Sequence, residues 1–129
     1  MDFSALDTVK GSDEGAALYV RHPITQEITD AWIKLAGPDS RIAKSRRADI
    51  RRRFRNHRSS DLDLDALEQE AMETRVAMTL EWGGIELDGE ELAFTPENVR
   101  TVYERFPWLI EQVDSFQGDR ANFMSTNSE

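Results

Sequence analysis

Cysteine is absent from this chain of 129 residues, which excludes a disulfide framework and a thiolate metal site and fits a reducing compartment. Histidine is scarce: His22 and His57 stand alone, in no metal-ligand spacing. Long apolar runs are missing too. Nothing approaches the ~20 residues that a bilayer-spanning helix needs. The first residues carry no basic start followed by an apolar stretch, so no signal peptide is expected and the cytoplasm is the expected location. No serine lies in a nucleophile elbow, and Gly83-Gly84 is followed by neither the third glycine nor the lysine of a phosphate loop. Asp61, Asp63 and Asp65 alternate as calcium-loop ligands do. Ala66 and Met72 stand where that loop needs glycine and glutamate, so the three acids read as a helix-capping linker. Neither catalysis nor a cofactor is expected.

What the chain has is charge. Charged residues make up 32% and hydrophobic residues 39%, more polar than an average domain. A chain of this length suits one domain with a modest core, and this balance implies a thin core, exposed helices, or surface covered only in a complex. The net charge of −9 is unevenly spread. Residues 1–40 carry 7 acids and 3 bases, residues 41–58 carry 1 acid and 9 bases, and residues 59–129 carry 17 acids and 4 bases. One segment of +8 therefore sits between stretches of −4 and −13. Clustered arginines can neutralise phosphates, so a nucleic-acid-binding or regulatory module built on residues 41–58 is one reading. The acidic remainder would repel a polyanion, and only Phe54 is at hand for stacking. The other reading is a solvated helix that pairs with the chain's own acidic portion or with an acidic partner.

The pattern predicts an α+β fold: an N-terminal β-hairpin, then about four helices. Residues 1–14 are polar and read as a loosely ordered arm with at most one turn of helix. Leu18, Tyr19 and Val20 favour a strand that His22-Pro23 ends, and Glu27–Leu35, with Ile28, Trp32, Ile33 and Leu35, supplies a second, giving a hairpin over 16–36. Pro38 stops the extended run, and Asp39 or Ser40 can cap a basic helix over 41–56 with a narrow stripe at Ile42, Ile50 and Phe54. His57–Asp61, with Ser59-Ser60, reads as a linker. An acidic helix from about Leu62 or Asp63 to Leu80 follows, with Leu64, Leu67, Ala71, Val76, Met78 and Leu80 on one broad face and Glu68, Glu70 and Glu73 outside it. It is a natural antiparallel neighbour for the basic helix. Trp82-Gly83-Gly84 marks a bend, and Asp88-Gly89 a tiny hairpin within Ile85–Phe94. Thr95-Pro96-Glu97 opens a helix carrying Val99, Val102, Tyr103 and Phe106, and Pro107 separates it from a last helix, Trp108 to about Phe123. Residues 124–129 read as a flexible tail.

Among the aromatics Trp82, Phe94, Tyr103, Phe106, Trp108 and Phe116, most are needed for a core in so polar a chain. Trp108, beside Pro107, is the first candidate for exposure. Since Trp and Arg anchor interfaces, the candidate partner-binding residues are Trp82, Phe94, Phe106, Trp108, Arg47 and Arg51.

Several segments, in order, resemble the tail assembly chaperones of long-tailed, siphovirus-like phages. They are Met1-Asp2-Phe3-Ser4, Leu6-Asp7-Thr8, Gly15-Ala16, and His22-Pro23 ahead of Thr25 and Glu27. Ile33 to Ser40, with its closing Gly37-Pro38-Asp39-Ser40, continues the likeness. So do Trp82-Gly83-Gly84-Ile85, the Asp88-Gly89 turn, Phe94-Thr95-Pro96-Glu97-Asn98, Phe106-Pro107-Trp108-Leu109 and Asp119-Arg120-Ala121-Asn122-Phe123. Residues 41–80 are not distinctive, and their arginine content is heavier than in that family. The resemblance implies a phage or prophage protein in the cytoplasm of the bacterial host, which binds the tape-measure protein and keeps it soluble while tail-tube subunits assemble. It implies the short form of a pair whose longer member arises by frameshift, and no catalytic residues. The tail-tube protein is a second expected partner. Self-association is expected through the N-terminal hairpin, whose edges would otherwise be unpaired. The alternatives are the nucleic-acid module and a structural tail or connector protein.

Overall fold

The computed structural model describes residues 1–55 and 63–124. The linker expected at His57–Asp61, the Asn56 end of the basic helix, Leu62 and the tail from Ser125 onward lie outside the described residues.

The fold is α+β; the described residues form five helices, a three-stranded antiparallel sheet and a separate two-stranded ribbon. A short helix α1 (Val9–Glu14) precedes the hairpin β1 (Ala16–Arg21) and β2 (Ile28–Leu35). Then come α2 (Arg41–Phe54), α3 (Leu64–Ala77), β3 (Thr79–Gly83), β4 (Glu86–Leu87), β5 (Glu90–Glu91), α4 (Pro96–Arg105) and α5 (Pro107–Gly118). Among the described residues no helix is long and apolar enough to cross a membrane.

The hairpin forms as the pattern predicts, Tyr19 opposite Trp32 and Leu18 opposite Ile33. The central strand is β2, because β3 pairs along its other edge, Ile33 opposite Trp82 and Lys34 opposite Glu81. The acidic helix stops at Ala77 rather than Leu80, and Trp82 lies in a strand, not a bend. Alternation from Thr79 to Gly83 puts Trp82 on the same face as Ile33, and burying that indole outweighs three more residues of helix. The region 63–123 is thus not wholly helical.

Strand alternation sorts the sheet into two faces. Val20, Ile33, Leu35 and Trp82 form one core with Val99, Val102 and Tyr103 of α4 and Leu109 and Val113 of α5. Complete burial of Ile33, Leu35 and Val113 contributes about 1.5–3 kcal/mol per side chain. The opposite face carries Tyr19, Trp32 and Gly83 side by side, and the Trp32 indole fills the space that a side chain at position 83 would need.

Local capping chemistry explains the helix starts. The α2 cap is Ser40, whose hydroxyl accepts from the Ala43 amide at 3.1 Å, while Asp63 caps α3 and Thr95 caps α4 ahead of Pro96. Asp39, the other candidate cap, instead accepts from Thr8 Oγ1 and from both Nε and Nη2 of Arg120.

That contact corrects the reading of residues 1–14 as a loose arm. Val9–Glu14 is a packed helix: Ser12 is fully buried, its hydroxyl accepts from the Asp39 amide, and Gly11 sits against the Phe123 carbonyl. Small side chains at 11, 12 and 37 let three segments distant in sequence meet around Phe123. No periodicity announces such a meeting. The last helix likewise ends at Gly118, and Arg120–Phe123 forms a separate 3-10 turn that buries Phe123.

The basic and acidic helices do pair. Ala43 meets Met78 at one end, Arg46 binds Thr74 and Glu70, and Arg53 binds Glu70, an opposed chain order that makes them antiparallel. The face of α3 differs from the expected one, however. Glu70 is 9% exposed, whereas Leu64 is 74% and Leu67 37% exposed. The arginines draw Glu70 inward, and Met72 and Val76 are the residues that reach the main core.

Candidate functional site

A concave surface lies where the β1–β2 tip meets the α4–α5 junction. Pro107 has no amide proton, so α4 ends at Arg105 and α5 begins at a new angle. Phe106 and Trp108 flank that break, their rings 6.0 Å apart and tilted by 57°. The Arg105 guanidinium stands 5.5 Å over the Phe106 ring.

The facing wall is the hairpin tip, and its backbone is well tied. His22 Nδ1 accepts from the amides of Ile24 and Thr25, and Gln26 turns the chain at φ 65°. Gln112 of α5 then fastens the tip to the helix. Its Oε1 accepts from the Arg21 amide and its Nε2 donates to the Arg21 carbonyl, both at 2.9 Å. A side-chain amide thus takes the place of a strand neighbour on the outer edge of β1.

Two hollows result, with Arg21, Pro23 and Trp108 common to both. The larger, about 490 Å³, runs along α5 past Glu111, Ser115 and Asp119. The smaller, about 340 Å³, is more apolar, with Val20, Ile85, Val102 and Phe106 in its walls. Trp108 is half-buried between them, and among the described residues its indole N–H has no hydrogen-bond acceptor. An apolar pocket wall with one unused donor is what an amphipathic partner could complete.

Of the six residues expected to bind a partner, the structure brings Phe106 and Trp108 together at this cleft. Trp82 is a correction: it is 7% exposed, its Nε1 donates to the Leu92 carbonyl at 3.0 Å, and it belongs to the core. Phe94 packs edge-on against Trp82 at 5.5 Å and remains 39% exposed. Arg47 and Arg51 are exposed on α2 and line no part of the cleft.

Sequence reasoning missed Gln112, whose role depends on a partner 91 residues away. It also missed the aromatic pair on the open sheet face, Trp32 and the 54% exposed Tyr19. Strand alternation carried that signal, since Ile33 and Leu35 inward place Trp32 outward. No family model, no curated protein and no solved structure matches this chain.

Proposed function

We propose that this chain is a non-catalytic protein-binding factor, a tail assembly chaperone that holds helical segments of a tape-measure protein in the host cytoplasm until tail-tube subunits assemble around them. The observation that carries the reading is the cleft around Trp108, with apolar walls, an indole donor that has no acceptor among the described residues, and a backbone frame fastened by Gln112. A long helical partner exposes apolar stripes before assembly, and a groove of this kind covers them reversibly. The net charge of −9 favours solubility of the complex. The ordered resemblance of segments between Met1 and Ser40 and between Trp82 and Phe123 supports the same reading.

The nucleic-acid alternative draws less support from the basic segment. Arg41, Arg46, Arg52 and Arg53 are each paired with an acid of the chain itself, so fewer cations are available to phosphates than the count suggests.

The test is co-expression with the tape-measure protein encoded beside it, followed by pull-down. Recovery of a soluble complex is expected from the native chain, and Trp108→Ala should lose most of it while keeping a native melting curve. An equal yield from Trp108→Ala, or a partner that stays insoluble and unbound with the native chain, would refute the proposal.

A further inference from the structure

The helical pair α2–α3 presents a second surface, independent of the Trp108 cleft. Leu67, Ala71, Thr74 and Met78 recur at intervals of four, three and four residues, so they form one strip of α3. Thr74 and Met78 line a groove with Ala43, Arg47 and Ile50 of α2, and Gln117 and Gly118 at the end of α5 close it at the sheet side. Toward the far end nothing in the described chain covers it. Leu64 and Leu67 are 74% and 37% exposed, and Ala71 is exposed as well.

Charge flanks this strip on both sides. On α2, Arg47, Arg51 and Arg55 recur every four residues and are exposed. Among the described residues none of them makes an ion pair; Arg47 donates to the Pro38 carbonyl, and its charge also acts on Asp39. On α3, the exposed side chain of Glu68 borders the strip and is likewise unpaired among the described residues. Each helix thus carries the charge that the other would attract, but their mutual contacts already use Arg46, Arg53 and Glu70.

We propose that the occupant is a second copy of this chain. A two-fold axis parallel to the helices lays α2 of one protomer antiparallel on α3 of its partner, and the reverse, so every neighbour in the resulting four-helix bundle is antiparallel. The register that sets Arg53 beside Glu70 within one chain sets Arg51 near Glu68 across the axis. Leu64, Leu67 and Ile50 of both protomers fill the seam. The other two-fold arrangement, α2 on α2, would oppose arginine rows and is rejected by the same charges. Association through the N-terminal hairpin is not needed to explain a dimer, because β3 pairs one edge of that hairpin and Gln112 caps the other at Arg21.

Sedimentation equilibrium of the full chain tests this. At ~50 mM salt the native protein should weigh about twice 14.8 kDa, and at ~500 mM it should shift toward monomer as the flanking pairs are screened. Leu67→Glu should be monomeric with an unchanged circular-dichroism melt. Arg51→Glu and Glu68→Arg should each be monomeric alone, and an equimolar mixture of the two should recover the dimer mass. A native chain monomeric at both salt concentrations overturns the proposal, as does a dimer that survives these substitutions. A mixture that stays monomeric overturns the two-fold pairing of α2 with α3. None of these outcomes depends on the tape-measure reading.

Discussion

Removing Glu70 tests how the two oppositely charged helices are held. Its Oε1 accepts from Arg46 Nη2 at 2.7 Å, and its Oε2 pairs with Arg53. The two arginines are not equivalent. The Arg46 side chain is 13% exposed and also donates Nε to Thr74 Oγ1 at 3.1 Å, whereas Arg53 is 49% exposed. Glu70→Ala leaves the Arg46 guanidinium desolvated with one neutral partner. Breaking a buried pair from one side costs about 3–5 kcal/mol, and the open groove beside this one lets water reach in, so about 2–3 kcal/mol is expected. Arg53→Ala removes a partly solvated pair and should cost about 0–1 kcal/mol. The assay is urea unfolding followed by tryptophan fluorescence. With a slope of about 1–3 kcal/mol per molar urea, Glu70→Ala should move the midpoint down by roughly 1–2 M. A double-mutant cycle should give a larger coupling for Arg46 with Glu70 than for Arg53 with Glu70. The double variant Arg46→Leu/Glu70→Leu should recover most of the loss, because an apolar pair of similar volume needs no compensation. If Glu70→Ala falls within about 0.5 kcal/mol of the native chain, or if the two arginines couple equally, burial does not set the strength of these pairs.

Two further predictions concern the cluster that joins the ends of the chain. Hydrogen bonds from Arg120, then Thr8, hold the Asp39 carboxyl down from 3.8 to about 2. A depressed folded pKa contributes stability that is complete above about pH 4 and is lost as pH falls through about 2. Asp39→Asn should therefore flatten the acid limb of the stability curve between those values, and an unchanged limb would remove Asp39 from the account. Gly37→Ala would put a methyl group 2.6 Å from Phe123 Cγ and against Ser12, both of which are buried and cannot swing aside. Overpacking of this kind should lower Tm by roughly 5–15 °C. Gly118→Ala, with nothing within 4 Å of the added carbon, should leave Tm unchanged or slightly raised. Equal melting temperatures for the two variants would contradict the packing argument.

Much of this molecule is legible in its residues, and the reason is that the signals are local. Thr95-Pro96 starts α4 wherever it lies, Asp88-Gly89 turns β4 into β5, and the alternation of Ile33 and Leu35 gives β2 an inner face. The charge blocks likewise announce a basic and an acidic helix that attract each other. Trp108 beside Pro107 stands out as an aromatic at a helix break.

The rest was settled by contacts between distant segments, wherever two of them compete for one environment. Whether Thr79–Gly83 continued the helix or became a strand depended on a free edge of β2 for it to join. Whether Glu70 or Leu67 turned inward depended on Arg46 and Arg53 lying opposite. Trp82 and Trp108 look alike as letters, but one finds the Leu92 carbonyl inside the core and the other stands at a cleft formed by a hairpin tip. Elements, caps and the division of charge follow from the residues alone, because each depends on neighbours within a few residues. The cleft, the terminal cluster around Phe123 and the open strip on α3 depend on contacts between distant segments, and only the folded chain brings those together.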